Sequence, residues 1–132
     1  MKGQSALETL VTVSTLLIFT VPMVLLVLSA SGLRLEDLSV FHARTTVQQI
    51  ADTVNEVYLQ GDGSTRTILV QLPSNTKSLN ISGSSVVIYL STQSGVYEIS
   101  HPILANASSF SLSRSGLTKM DVKMEHGVVV IQ

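Results

Sequence analysis

Apolar and polar positions divide this chain into three stretches with different periods. From Thr9 to Leu33 no side chain is ionisable, and Val11 to Leu28, VTVSTLLIFTVPMVLLVL, is apolar on every face apart from a few hydroxyls. At about 1.5 Å per residue the uncharged run covers about 37 Å of helix, more than the roughly 30 Å hydrocarbon core of a bilayer, which predicts a membrane-spanning helix. Ser and Thr in such a helix can return their hydroxyls to backbone carbonyls, whereas Pro22 removes one helical hydrogen bond. Pro22 and Gly32 are therefore the candidate bends, although both residue types are also ordinary membrane-helix composition.

After Gly32 the apolar positions Val40, Val47, Ile50, Val54 and Val57 recur at spacings of seven, three, four and three, with Phe41, Ala51 and Tyr58 adjoining. That stripe is the mark of an amphipathic helix with one face on a partner surface. Arg44, Gln48, Gln49, Asp52, Asn55 and Glu56 fall on the opposite face, and neither Gly nor Pro interrupts the segment from Leu33 to Gln60. Gly61-Asp62-Gly63-Ser64 ends it as a turn. A helix unbroken from Ser5 to Leu59 would run roughly 80 Å, so its front half would have to project from any small domain.

From Arg66 onward the period falls to two, with turn residues every eight to twelve positions, which predicts short antiparallel strands over 66–72, 78–82, 85–91, 96–101, 109–113, 118–125 and 128–132. Met120, Val122 and Met124 alternate with Lys119, Asp121 and Lys123, one set inward and one in solvent. His126-Gly127, Gly83-Ser84 and Ser94-Gly95 are the expected turns of a hairpin meander. The fold class is α+β: a long N-terminal helix whose amphipathic half packs on a C-terminal antiparallel sheet or small β-barrel. The expected organisation is a leader at 1–3, a hydrophobic helix at 4–32, an amphipathic helix at 33–60 and a β domain at 61–132.

Composition narrows the functional classes. The net charge is −1 and the eight Lys and Arg are scattered, so no run of phosphates is neutralised and nucleic-acid binding is disfavoured. Cysteine is absent, which removes disulfides and thiol chemistry from the alternatives. His42, His101 and His126 lack the repeated spacing of a metal site, and Ser74-Asn75-Thr76-Lys77 matches Ser-x-x-Lys but follows Pro73 in a polar turn. No catalytic residue, cofactor or metal is expected, and the chain reads as a non-enzyme. Asn80-Ile81-Ser82 and Asn106-Ala107-Ser108 are N-glycosylation sequons, in a segment that the topology would place outside the cell.

The front end does not fit a conventional secretory signal: Lys2 is its one cation, Glu8 stands just before the apolar run, and the run is too long. Cleavage after Ala30 is the alternative such a signal would offer. A carboxylate beside hydrocarbon costs several kcal/mol unless paired, protonated or able to reach the interface, so Glu8 calls for a partner or a place at headgroup level.

Lys2-Gly3-Gln4-Ser5-Ala6-Leu7-Glu8-Thr9-Leu10 resembles the class III signal peptide of euryarchaeal type IV pilins, a short basic leader ending in Gly before Gln-x-Ser-x-Glu and an apolar run. Here Ser5 follows Gln4 directly, one place earlier than in the family pattern. Archaellins look different, carrying a Gly/Thr-rich stretch where this chain has Gln and Glu. The resemblance covers about the first thirty residues. It implies cleavage between Gly3 and Gln4 by a prepilin peptidase, retention of the apolar helix, and extraction from the cell membrane into a helical homopolymer by an assembly ATPase and membrane platform protein. It also implies that Glu8 meets the new N-terminus, Gln4, of a neighbouring copy.

The function expected on this basis is a structural subunit of an archaeal type IV pilus at the cell surface, serving adhesion or surface attachment. A minor pilin, or a cell-surface ligand-binding module anchored by the helix, is the alternative. A secreted or membrane-anchored β domain that never polymerises is the third.

Overall fold

The computed structural model describes residues 2–132 and, within them, every side chain except those of Lys2 and residues 32–35. Met1 and the side chains of Lys2, the leader's cation, and Leu33 lie outside the described residues, and α1 takes in Gly32, a candidate bend. The elements are a helix α1 (Lys2–Gln60) and strands β1 (Thr65–Leu72), β2 (Thr76–Thr92), β3 (Gly95–Leu112), β4 (Gly116–Glu125) and β5 (Val128–Ile131). The chain divides into two compact units, residues 1–37 and 38–132, so the rear of α1 belongs with the strands.

In the first unit α1 takes in Pro22. Thr9, Thr12, Thr15, Thr20 and Ser31 each donate a hydroxyl to the carbonyl four residues earlier, and Ser29 to the one three earlier. These bonds satisfy the hydroxyls inside the helix itself, as a helix in hydrocarbon requires.

In the second unit the strands form one five-stranded sheet ordered β1-β4-β5-β3-β2. The α+β expectation holds, with a correction in the sheet: it is mixed, because β5 lies antiparallel to β4 and parallel to β3 through Ala107 and Val129. Seven short strands become five because two pairs fuse. The segments 78–82 and 85–91 are one strand, and Gly83-Ser84, expected as a turn, is an irregularity within β2. Likewise 96–101 and 109–113 join as β3.

The reason is period. In β2 the buried positions are Leu79 and Ile81, then Val86, Ile88 and Leu90, so the inward face changes parity between them. Such a change needs a break in the ladder, and Gly83, at φ +57, accepts the backbone conformation that the irregularity demands. The partners of Gly83 and Ser85 are Ala107 and Pro102, so the extra residues are carried by β3. The turn at His126-Gly127 is as expected, whereas the one expected at Ser94-Gly95 is made by Gln93 and Ser94, with Gly95 opening β3. His126 and Gly127 both have positive φ, 51° and 82°, the geometry of a type I′ hairpin turn.

The sheet curls. Laid flat, five strands would put β1 and β2 four spacings, about 19 Å, apart. The connection from Leu72 to Thr76 reaches at most about 14 Å. Asn75, just ahead of β2, also bonds near its far end: Ser91 N–H donates to Asn75 O at 2.8 Å and Asn75 Nδ2 to Ser91 O at 3.1 Å. The long β2–β3 arm therefore folds over at the bulge, and the sheet approaches a barrel.

The rear of α1 fills the concave side. Ala43, Val47, Ile50, Ala51, Val54 and Val57 are 0–1% exposed and share one core with Val70, Leu72, Met120, Val122 and Val129. Burial at this level contributes roughly 1.5–3 kcal/mol for each Val, Leu or Ile. Phe41 and Tyr58, expected beside the stripe, are exposed instead. Ala43, Thr46 and Thr53 take the buried places, because small side chains let helix and sheet approach.

Helix side chains also bond the strand edges. Thr46 Oγ1 donates to Gln71 O at 2.9 Å on β1, and the Leu104 N–H of β3 donates to Asn55 Oδ1 at 2.7 Å. Edge groups that would otherwise template pairing with another chain are thereby occupied.

Candidate functional site

The feature that sets this molecule apart is the front of α1. Every large apolar side chain from Leu7 to Leu28 is between 50% and 73% exposed, and these residues run all round the helix. Water does not tolerate a continuous apolar surface of this extent, so it marks a place that lipid or protein covers. α1 is long and apolar enough to cross a membrane. The core helix of a soluble protein can pass the same test of length and composition, but its apolar window would be covered, and here none of it is.

Between Gly3 and Ser31 the one ionisable side chain is Glu8. Gln4 and Glu8 lie four residues apart on α1, hence on the same face one turn from each other. Both are exposed, as is Gly3, so the expected cleavage junction and the expected assembly carboxylate stand together at one accessible end of the helix. Thr12 Oγ1 donates to the Glu8 backbone carbonyl at 2.8 Å, and among the described residues no ion pair involves the Glu8 carboxylate.

A second candidate is a groove of about 440 Å³ between α1 and β3, lined by Arg44, Gln48, Tyr97, Glu98, Ser100 and His101 among others. From Val96 to His101, β3 pairs with β2 along one edge, and among the described residues no strand is registered against the other. The sequence pattern did not single out this groove, because its residues are ordinary solvent-face choices on two elements distant in sequence.

The sequons are placed differently. Asn80 is half-buried in the β2–β3 ladder opposite Ser111, whose hydroxyl donates to Asn80 Oδ1 at 2.8 Å. Asn106 is exposed on β3, between the buried Ala105 and Ala107. The histidines do not converge: His42 stacks edge-on against Phe41, His101 Nδ1 lies 2.8 Å from Pro102 O, and His126 occupies the β4–β5 turn. Among the described residues no group of three His, Cys, Asp or Glu is positioned to hold a metal. Ser74 sits in the turn between β1 and β2 and Lys77 in β2.

On the solvent face of β4, Lys119, Asp121, Lys123 and Glu125 alternate in sign. The Thr67 hydroxyl donating to Asp121, with Lys119 3.3 Å away, holds the Asp121 carboxyl below its ordinary value. Lys123, 2.5 Å from Glu125, lowers that carboxyl in the same way. These are exposed pairs, which structure a surface rather than create reactive groups.

Compared with protein-family models, with curated proteins and with solved structures, the chain matches none.

Proposed function

We propose that this chain is a structural subunit of a type IV pilus of the archaeal kind, held in the cell membrane by the front of α1 before assembly and packed through the same helix against its own copies afterwards. The observation that carries the reading is an exposed, all-round apolar helix in a chain whose other unit already has a complete core. Such a helix needs an apolar environment from outside the chain. Lipid supplies one, and sister helices supply another through contacts that repeat with a rotation and a rise, which builds a filament. The Gly3-Gln4 junction and Glu8 support the choice of pilin over a simple anchor, since processing there would keep the helix and create a new N-terminal ammonium beside a carboxylate. The role is mechanical, in adhesion or surface attachment, with a prepilin peptidase, an assembly ATPase and a membrane platform protein as the assembly partners.

N-terminal sequencing of material sheared from cells tests this directly. A start at Gln4 is expected; a start at Ser31, or a water-soluble monomer lacking residues 4–30, overturns it. Glu8→Ala should lower filament yield while the β domain still melts as in the parent. The alternative, a minor pilin or ligand-binding module, draws on the groove between α1 and β3. Filaments built from this chain alone would count against it.

A further inference from the structure

We propose that Asn106, and not Asn80, is the residue that this chain presents for N-linked glycosylation once its β domain has folded. The inference rests on the export of that domain proposed above, and it separates two triplets that are equivalent as sequence. At Asn80 the side-chain oxygen already accepts the Ser111 hydroxyl, the backbone pairs with β3 through Asn80 with Ser111 and Ile81 with Phe110, and the central residue Ile81 is 1% exposed. Offering this sequon to an enzyme would draw Ile81 out of the core and break the pairing of Leu79, Asn80 and Ile81 with β3. Asn106 lies where the register between β2 and β3 jumps from Pro102 to Ala107, so residues 103–106 have no partner on β2. Its side chain is exposed and its central residue, Ala107, puts no more than a methyl group into the core.

The chemistry explains why this difference matters. An amide nitrogen is a poor nucleophile because its lone pair is delocalised into the carbonyl, so a transferase must grip the side chain and the flanking backbone to activate it. Asn106 Nδ2 would attack the anomeric carbon of a glycan carried on a polyprenyl phosphate or pyrophosphate. The C–N bond forms, the C–O bond to the carrier breaks, the phosphate leaves with the electron pair, and one amide proton passes to a base. Ser108, half-buried two residues on, is the hydroxyl of the triplet. A glycan there would stand on the solvent side of β3, opposite the face that packs on α1.

The test is made on the full chain in cells that modify an exposed loop sequon of a control protein expressed beside it. Intact mass should show one glycan, glycopeptide mapping should place it on Asn106, and Asn106→Gln and Ser108→Ala should each abolish it. Ser108→Thr should restore it, and Asn80→Gln should leave it in place. A bare chain beside a modified control, or a glycan on Asn80 at equal or higher occupancy, overturns the proposal. Protease added outside intact cells distinguishes the two failures. A digestible but unmodified β domain sinks this inference alone, whereas a protected one sinks the export reading and this inference with it.

Discussion

Leu16, Leu17 and Ile18 are as apolar as Val47, Ile50 and Val54, yet the first three stand 55–67% exposed and the second three are 0–1% exposed. Both sets lie on α1. What differs is the pattern around them. In the rear segment polar residues occupy the turns between apolar ones, so the helix has a dry side and a wet side, and the strands of the same chain cover the dry one. In the front segment, from Val11 to Leu28, the polar side chains are hydroxyls, those of Thr12, Thr15 and Thr20 bond their own backbone, and every direction round the axis is apolar. A helix of the second kind finds its cover outside the chain.

The comparison breaks most decisively if the front helix can carry charge. Each Arg at the centre of a membrane helix costs about 2.5–3.5 kcal/mol. Leu17→Arg with Val24→Arg should therefore shift the protein out of the membrane fraction and abolish filaments, with the melting temperature of the β domain unchanged. Retention of the doubly substituted protein in the membrane fraction would show that the front segment is not what lipid reads.

The converse change belongs to the rear helix. Ile50→Ala removes three carbons from a fully buried position between helix and sheet, and such truncations cost about 2–5 kcal/mol. Urea denaturation should show that loss, whereas membrane partition should stay at the parent level. Loss of partition without loss of stability would reverse the assignment of the two segments.

How much of this division was legible beforehand follows from which interactions are local. The front helix, the Val47–Ile50–Val54–Val57 stripe, the alternation of β4 and the His126-Gly127 turn are written in spacings of two to four residues, which a sequence displays directly. The fusion of strands at Gly83 is not, because a glycine after a serine-rich run signals a turn or a bulge equally well, and only the register of β3 decides. Phe41 and Tyr58 sit one position off the stripe, and their exposure depends on how closely Ala43 and Thr46 bring α1 to the sheet. The contact of β3 with β5 and the groove beside Tyr97 join residues far apart in the chain, so no local period announces them. Gly3, Gln4 and Glu8 stand together in the sequence, and the helix leaves all three exposed near its front end.

A smaller effect probes how the rear helix reaches the sheet edge. Asn55, assigned from the pattern to the solvent face, accepts the Leu104 N–H at 2.7 Å. Asn55→Leu removes the acceptor at an accessible edge where water can substitute, so the expected loss is about 0.5–1.5 kcal/mol. The sharper readout is hydrogen exchange, in which the Leu104 amide should speed up while the Met120 and Val122 amides stay protected.

The smallest expected effect is electrostatic and belongs wholly to the β domain. The Asp121 carboxyl is lowered first by the Thr67 hydroxyl and then by Lys119, and the Glu125 carboxyl by Lys123. A carboxyl lowered in the folded state binds fewer protons there than when unfolded, so its contribution is fully present above the ordinary carboxylate range of about 3.9–4.3 and disappears as pH falls through and below that range. Both groups are exposed, so solvent screening keeps the contribution small. Thermal melts of the parent and of Asp121→Asn should therefore differ slightly at pH 7 and converge as the pH is taken below 4. Asn removes the charge but leaves an oxygen for Thr67, so a difference that persists unchanged at low pH would place the effect in that hydrogen bond or in packing, and not in titration.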